Sequence, residues 1–199
     1  MTSHSTLAVL CSLVLPTIGR AQVDSSQPPD VFEAASESRL DSLYSPLVYI
    51  MQRDEQGVYS TLSVGEKREY LRRFWARRDP TPGTPRNEAE TQFYRRIEAA
   101  NREFREGGAA AIPGWRTDRG RIFIRNGPPD EVLSRPQPPG ALPYEVWKYT
   151  SGKQRKYCFV DLTRFGNYAL VYTNDLLEPS RPDWSRLLGY EAYADVVRF

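Results

Sequence analysis

The feature that most constrains this chain is a change of rhythm near its middle. From Ser63 to about Arg105 apolar residues recur every three or four positions, the spacing of a helical stripe, whereas from Arg121 onward they alternate, the spacing of a strand. Helical and strand patterns in separate blocks predict an α+β fold. The expected architecture is an αα-hairpin packed on a four-stranded, mainly antiparallel sheet, followed by a C-terminal helix.

The helical block is well punctuated. Leu40, Leu43, Tyr44, Leu47, Ile50 and Met51 keep helical spacing, but Pro46 falls among them, so a short helix should break or restart there. Ser63 and Glu66 stand in the S-x-x-E relation of a capping box, with Tyr70, Leu71, Phe74 and Trp75 on one face of a helix that stops before Pro80. After the stiff connector "DPTPGTPRN", Thr84 as N-cap and Pro85 in the first helical position predict a second helix. Its stripe of Phe93, Tyr94, Ile97, Ala100 and Phe104 ends near Arg105, before Gly107 and Gly108.

Strands are predicted at Arg121 to Arg125, Tyr144 to Tyr149, Lys156 to Leu162 and Tyr168 to Tyr172. Short polar or glycine- and proline-rich links between them favour antiparallel neighbours. Alternation puts Glu145, Trp147 and Tyr149 on one face of the second strand, and Tyr157, Phe159 and Asp161 on one face of the third. An aromatic sheet face results, with the helix pair as its cover. From Asp183 an amphipathic helix is expected, with Trp184, Leu187, Leu188 and Tyr190 available to pack.

At its start the chain has a short apolar run, Leu7 to Leu15, broken by Pro16 and Gly19 and followed by Gly19-Arg20-Ala21. This predicts a signal peptide over residues 1–21, a flexible lead over 22–37, a domain over 38–175 and a helical tail over 176–199. The run is too short to span a bilayer, and no later segment does better, so no transmembrane segment is expected in the mature chain. Cleavage after Ala21 would leave no histidine and one cysteine, Cys158, in the strand "KYCFVDL". That removes Ser-His-Asp and Cys-His nucleophile systems, histidine-ligated metal sites and intramolecular disulfides from the possibilities. No cofactor motif is present and no catalytic or metal-binding set is assigned.

Arginine supplies nearly all the positive charge, since the only lysines are Lys67, Lys148, Lys153 and Lys156, and the net charge is +2. A balance that close gives no reason to expect a nucleic-acid partner. Arg72, Arg73, Arg77 and Arg78 make the first long helix basic toward its C-terminus, where they offset the macrodipole or engage an anionic lipid or polysaccharide.

Two neighbouring stretches concentrate polar chemistry. In "PGWRTDRG", Asp118 lies between Arg116 and Arg119 and follows Thr117; the bland reading is a turn in which Trp115 anchors into the core and Asp118 ties the loop to an arginine, with Gly114 and Gly120 relaxing the backbone. In "NGPPDE", Gly127 makes a turn, Pro128 and Pro129 stiffen it, and Asp130 caps it or meets a hard cation; the spacing of a calcium loop is absent. A carboxylate hydrolase acting on an envelope glycan would instead draw on Asp118, Asp130, Glu131 and Glu145, two of them facing one cleft.

The segments "FWARRDPTPGTPRNE", "PGWRTDRGRIFIRNGPPDE" and "YEVWKY" resemble, in that order, bacterial proteins with the GWxTD domain, whose motif is matched by Gly114, Trp115, Thr117 and Asp118. The resemblance runs from about Leu40 to Tyr172. It implies an exported protein of undefined biochemical activity, and from it we expect a non-catalytic envelope module with a protein partner, periplasmic or extracellular and peripheral to the outer membrane at most. Binding of a small anionic ligand is the other non-catalytic possibility.

Overall fold

The computed structural model describes residues 30–108 and 111–199; the expected signal peptide and the first part of the lead, up to residue 29, lie outside the described residues. Asp30 to Ser36, expected as flexible lead, is packed instead. Phe32 and Ala35 are buried in the core, and Arg68 donates to both of their carbonyls at 3.1 Å. Apolar side chains separated by two residues made this short turn worth burying, a signal too brief to read as periodic.

Helix α1 (Glu37–Tyr44) starts at Ser36, whose hydroxyl accepts from Arg39 N at 3.3 Å. Pro46 then tightens the chain into a 3₁₀ turn, Ser45–Tyr49, because its ring removes a helical donor. Helix α2 (Val64–Ala76) carries the anticipated capping box: Ser63 N donates to Glu66 Oε2 at 2.8 Å, and Glu66 N returns to Ser63 Oγ. Helix α3 (Glu88–Glu103) begins later than the Thr84-Pro85 reading placed it. Thr84 Oγ1 is spent inside the connector, donating to nearby carbonyls. Asn87 caps instead, accepting from Glu90 N at 3.1 Å while its Nδ2 donates to Trp75 O at 2.7 Å, so one side chain ties the start of α3 to the end of α2.

The stretch expected as the first strand is a helix, α4 (Asp118–Asn126). Ile122 and Ile124 alternate with arginine in sequence, but Phe123 between them is buried as well. Contiguous burial fits a short helix covered on two sides, by α3 and by the sheet. Thr117 caps its start, and Gly127, at φ 85°, ends it, with its N–H donating to Phe123 O at 2.7 Å. The true first strand, β1 (Glu131–Arg135), lies in what the sequence suggested was a connector.

Strands β2 (Tyr144–Tyr149), β3 (Arg155–Asp161) and β4 (Tyr168–Thr173) complete a sheet of order β1-β2-β3-β4, antiparallel throughout. The α+β architecture is as expected, with one more helix on the sheet. Trp147, Tyr149, Tyr157 and Phe159 form the aromatic face and pack with Phe104, Ile122 and the α1 to α3 side chains in one core. Tyr144, Val146, Cys158, Val160 and Val171 form the other face, covered by Leu188, Ala192 and Val196 of α5 (Trp184–Arg198), which kinks at Gly189. Cys158 is buried there, and burial pushes its thiol up to about 12, as expected of an inert strand cysteine. Among the described residues no helix is long and apolar enough to cross a membrane.

Candidate functional site

The GWxTD-like turn sits where α3, α4 and β4 meet. Gly114 opens a 3₁₀ turn, Gly114–Arg116, pressed against the last turns of α3. A Cβ on Gly114 would lie 1.8 Å from Ala100 O, and one on Gly120 would lie 1.8 Å from Gly114 O. Close approach, not unusual torsion, is therefore what these two glycines supply. Thr117 Oγ1 stitches the turn together, donating to Gly114 O at 2.8 Å and accepting from Gly120 N at 3.0 Å.

Trp115 is half-buried against the first core, edge-on to Tyr49, whose hydroxyl donates to Trp115 O at 3.0 Å. Its N–H donates to Asn101 Oδ1 at 3.1 Å, and exposed Arg116 lies over its ring. Trp115 thus packs at the margin of the first core.

Asp118 is paired with neither flanking arginine. Its Oδ1 accepts from Arg121, one helical turn on, at 2.8 Å, and its Oδ2 accepts from Leu170 N of β4 at 2.8 Å. That backbone donor is free because β4 is an edge strand and Leu170, opposite Phe159, turns its N–H away from β3; beside it the strand bulges, since Cys158 pairs with Tyr172 and Phe159 with Leu170, leaving Val171 without an opposite residue. Asp118 thus joins the first turn of α4 to the outer edge of the sheet. Arg121 continues to Glu178, which also takes Arg125, so a chain of alternating charge runs from the motif to the segment after β4.

Arg119 turns the other way, into the protein. It binds Glu106 at 2.8 Å and Glu145 at 3.4 Å and lies 4.0 Å from the centre of the Tyr168 ring. Glu145 also accepts from Trp147 Nε1 at 3.2 Å. Burial pushes the Glu106 carboxyl up, against the opposing pull of Arg119.

The "NGPPDE" segment is a second clasp. Gly127 O accepts from Tyr149 OH at 2.9 Å, and a Cβ at Gly127 would approach Arg96 Nη2 to 2.9 Å. Pro128 and Pro129 carry the chain to Asp130, whose Oδ2 accepts from Thr150 N at 2.6 Å and Thr150 Oγ1 at 3.0 Å; these bonds hold its carboxyl below the usual range. Asp130 is a cap for the β2–β3 turn. Glu131 pairs with Lys148 at 3.3 Å.

Hence the candidate carboxylates are shared among separate partners: Asp118 with Arg121 and β4, Asp130 with Thr150, Glu131 with Lys148 and Glu145 with Arg119. No three histidine, cysteine or acidic side chains converge as a metal site among the described residues. The sequence reading missed Tyr49, Glu106, Arg121, Leu170 N and Glu178, because each reaches the turn through tertiary contact.

The family model for the GWxTD domain matches residues 32–178, well over half of the chain. The chain belongs to the GWxTD domain family. No curated protein and no solved structure matches it. In this GWxTD domain the residues of the name are packing and clasp residues: Gly114 for contact, Trp115 for anchorage, Thr117 for the cap and Asp118 for the link to β4.

The four arginines proposed for an anionic partner are all paired with carboxylates. Arg72 pairs with Asp30 and Glu33, Arg73 with Glu69, and Arg77 and Arg78 with Glu55. By contrast Arg86, Arg95 and Arg96 have no ion-pair partner among the described residues and line an open groove of about 760 Å³ between the connector, α3 and Pro128.

Proposed function

We propose that this GWxTD domain is a non-catalytic interaction or scaffold module of the bacterial cell envelope, exported through its N-terminal apolar segment and acting on a protein partner. The observation that carries this reading is the consumption of the motif. The Thr117 hydroxyl and both Asp118 carboxylate oxygens are engaged within the domain, and the carboxylates that a glycan hydrolase would need are bound to separate partners rather than paired across a cleft. A rigid junction of this kind holds surfaces in register. Affinity capture of the tagged chain from the envelope fraction of its host, with D118A as control, should recover a discrete protein partner with the wild-type chain and less with the variant. Recovery of the chain in the cytoplasm with its first 21 residues intact would overturn the export part. An envelope-glycan hydrolysis that D118N abolishes without changing the melting temperature would overturn the non-catalytic part.

The groove of Arg86, Arg95 and Arg96 favours a second reading, in which the domain binds an anionic ligand beside the "NGPP" turn. Sulfated oligosaccharide or phosphatidylglycerol vesicles should then bind the chain, and R86E/R95E should abolish that binding. Equal binding by the variant would end this reading.

A further inference from the structure

The two edges of the sheet are treated differently. Along β4 the outward backbone groups are occupied: Leu170 N by Asp118, Val171 O by Arg181 N at 2.8 Å, and Thr173 N and O by Ser180 Oγ at 2.9 and 3.0 Å. Along β1 nothing comparable occurs. Asp161 N donates to Pro143 O at 2.9 Å, which sets the phase of the ladder: the backbone groups of Glu145, Trp147 and Tyr149 face β3, and those of Tyr144, Val146 and Lys148 face β1. Their partners are Arg135, Leu133 and Glu131. Val132 and Ser134 therefore turn their N–H and C=O groups outward, and neither has a backbone partner beyond the β1–β2 ladder among the described residues. An unprotected edge is a template for another strand.

We infer that β1 pairs antiparallel with β1 of a second copy about a two-fold axis at Leu133, joining two sheets into one of eight strands. The charge pattern of "EVLSR" selects this occupant. Centring on Leu133 sets Glu131 opposite the second copy's Arg135, and Val132 opposite the second copy's Ser134. The same centring is what the ladder phase demands, since Val132 and Ser134 are the residues whose backbone groups are free to exchange hydrogen bonds and Leu133 then falls at a non-bonded pair on the axis. Side chains agree. Glu131 is held by Lys148 at 3.3 Å and Arg135 by Asp195 at 3.4 Å, so the pairing would extend each into a row of alternating sign, Lys148, Glu131, Arg135 and Asp195, across the axis.

The flanks fit as well. Helix α5 crosses the sheet from Tyr172, on which Trp184 stacks, to the β1 side, where Asp195 meets Arg135 and Lys148 lies over Phe199. Its last turn thus ends beside the open edge with Val197 57% exposed, and Val132 on β1 is itself 52% exposed. Pairing would also cover Val132, which faces away from α5 because its neighbour Leu133 packs toward the α5 core. This inference does not depend on the envelope reading.

The test is the solution mass of the chain by light scattering after size exclusion, across a dilution series. The wild type should run as a dimer. E131R and R135E each place like charges opposite one another twice about the axis and should raise the dimer dissociation constant about tenfold. V132P removes only an outward donor, leaves the β1–β2 ladder intact, and should yield a monomer with an unchanged near-ultraviolet circular dichroism spectrum. A wild-type monomer at every concentration, a dimer indifferent to V132P, or single charge variants as tight as the wild type would each overturn the inference.

Discussion

Gly114 and Gly65 show how little a residue type says without its surroundings. A methyl group on Gly114 meets a carbonyl of α3, whereas one on Gly65, in α2, has no neighbour within 4 Å and no positive φ to resist it. G114A should cost more than about 3 kcal/mol, because backbone on both sides must shift, and G65A should gain about 0.5 kcal/mol from reduced unfolded-state freedom. Denaturant titration of the two variants checks both signs. D118A should cost about 2 kcal/mol, the penalty for leaving the Leu170 N–H without its partner at the β4 edge. If D118A melts with the wild type, the clasp role is wrong.

At the scale of elements, pH separates two acidic residues of the helical part of the fold. Glu55 sits in the 3₁₀ turn Arg53–Glu55 and clasps the end of α2; hydrogen bonding from Arg78 above all holds its carboxyl down at about 2, against 4.5 when free. A depressed folded value contributes stability that is complete above 4.5 and lost as pH falls toward 2. E55Q should therefore melt below the wild type at neutral pH, with the gap closing in acid. Glu90 on α3 is the opposite case, pushed by burial to about 7, with the Asp30 charge adding to the effect. Its raised value means the fold prefers the neutral acid, so stability drains as pH climbs from 4.5 through 7. E90Q should raise the melting temperature by about 2–4 °C above pH 7 and leave it unchanged in acid, an effect kept small by partial solvent screening.

For the molecule as a whole, the match to the family model ends at residue 178, yet the second core depends on α5. Truncation after Asp183 would bare Val146, Cys158, Val160 and Val171, a sheet face buried in the intact chain. The shortened protein should aggregate or expose Cys158 to alkylation, read by peptide mapping, while Cys158 of the intact chain stays unlabelled under the same conditions. Protection of Cys158 in the truncated form would show that the sheet does not need its second cover.

Local order was legible where one side chain acts on its own neighbourhood. The Ser63–Glu66 box, the break at Pro46, the alternation of β2 to β4 and the start of the last helix at Asp183 all follow from contacts a few residues apart, so the sequence alone determined the α+β class and most of its elements. Tertiary structure decided the rest. Asp118 to Asn126 became α4 because α3 and the sheet bury Ile122, Phe123 and Ile124 together, which outweighs a local pattern that fits a strand. The motif acquired its roles the same way: Asp118 finds Leu170 52 residues on, and Arg121 finds Glu178 57 residues on. Proximity between such distant residues is set by packing the whole domain, and only that packing turned the segment from Pro113 to Glu131 into the junction between helices and sheet.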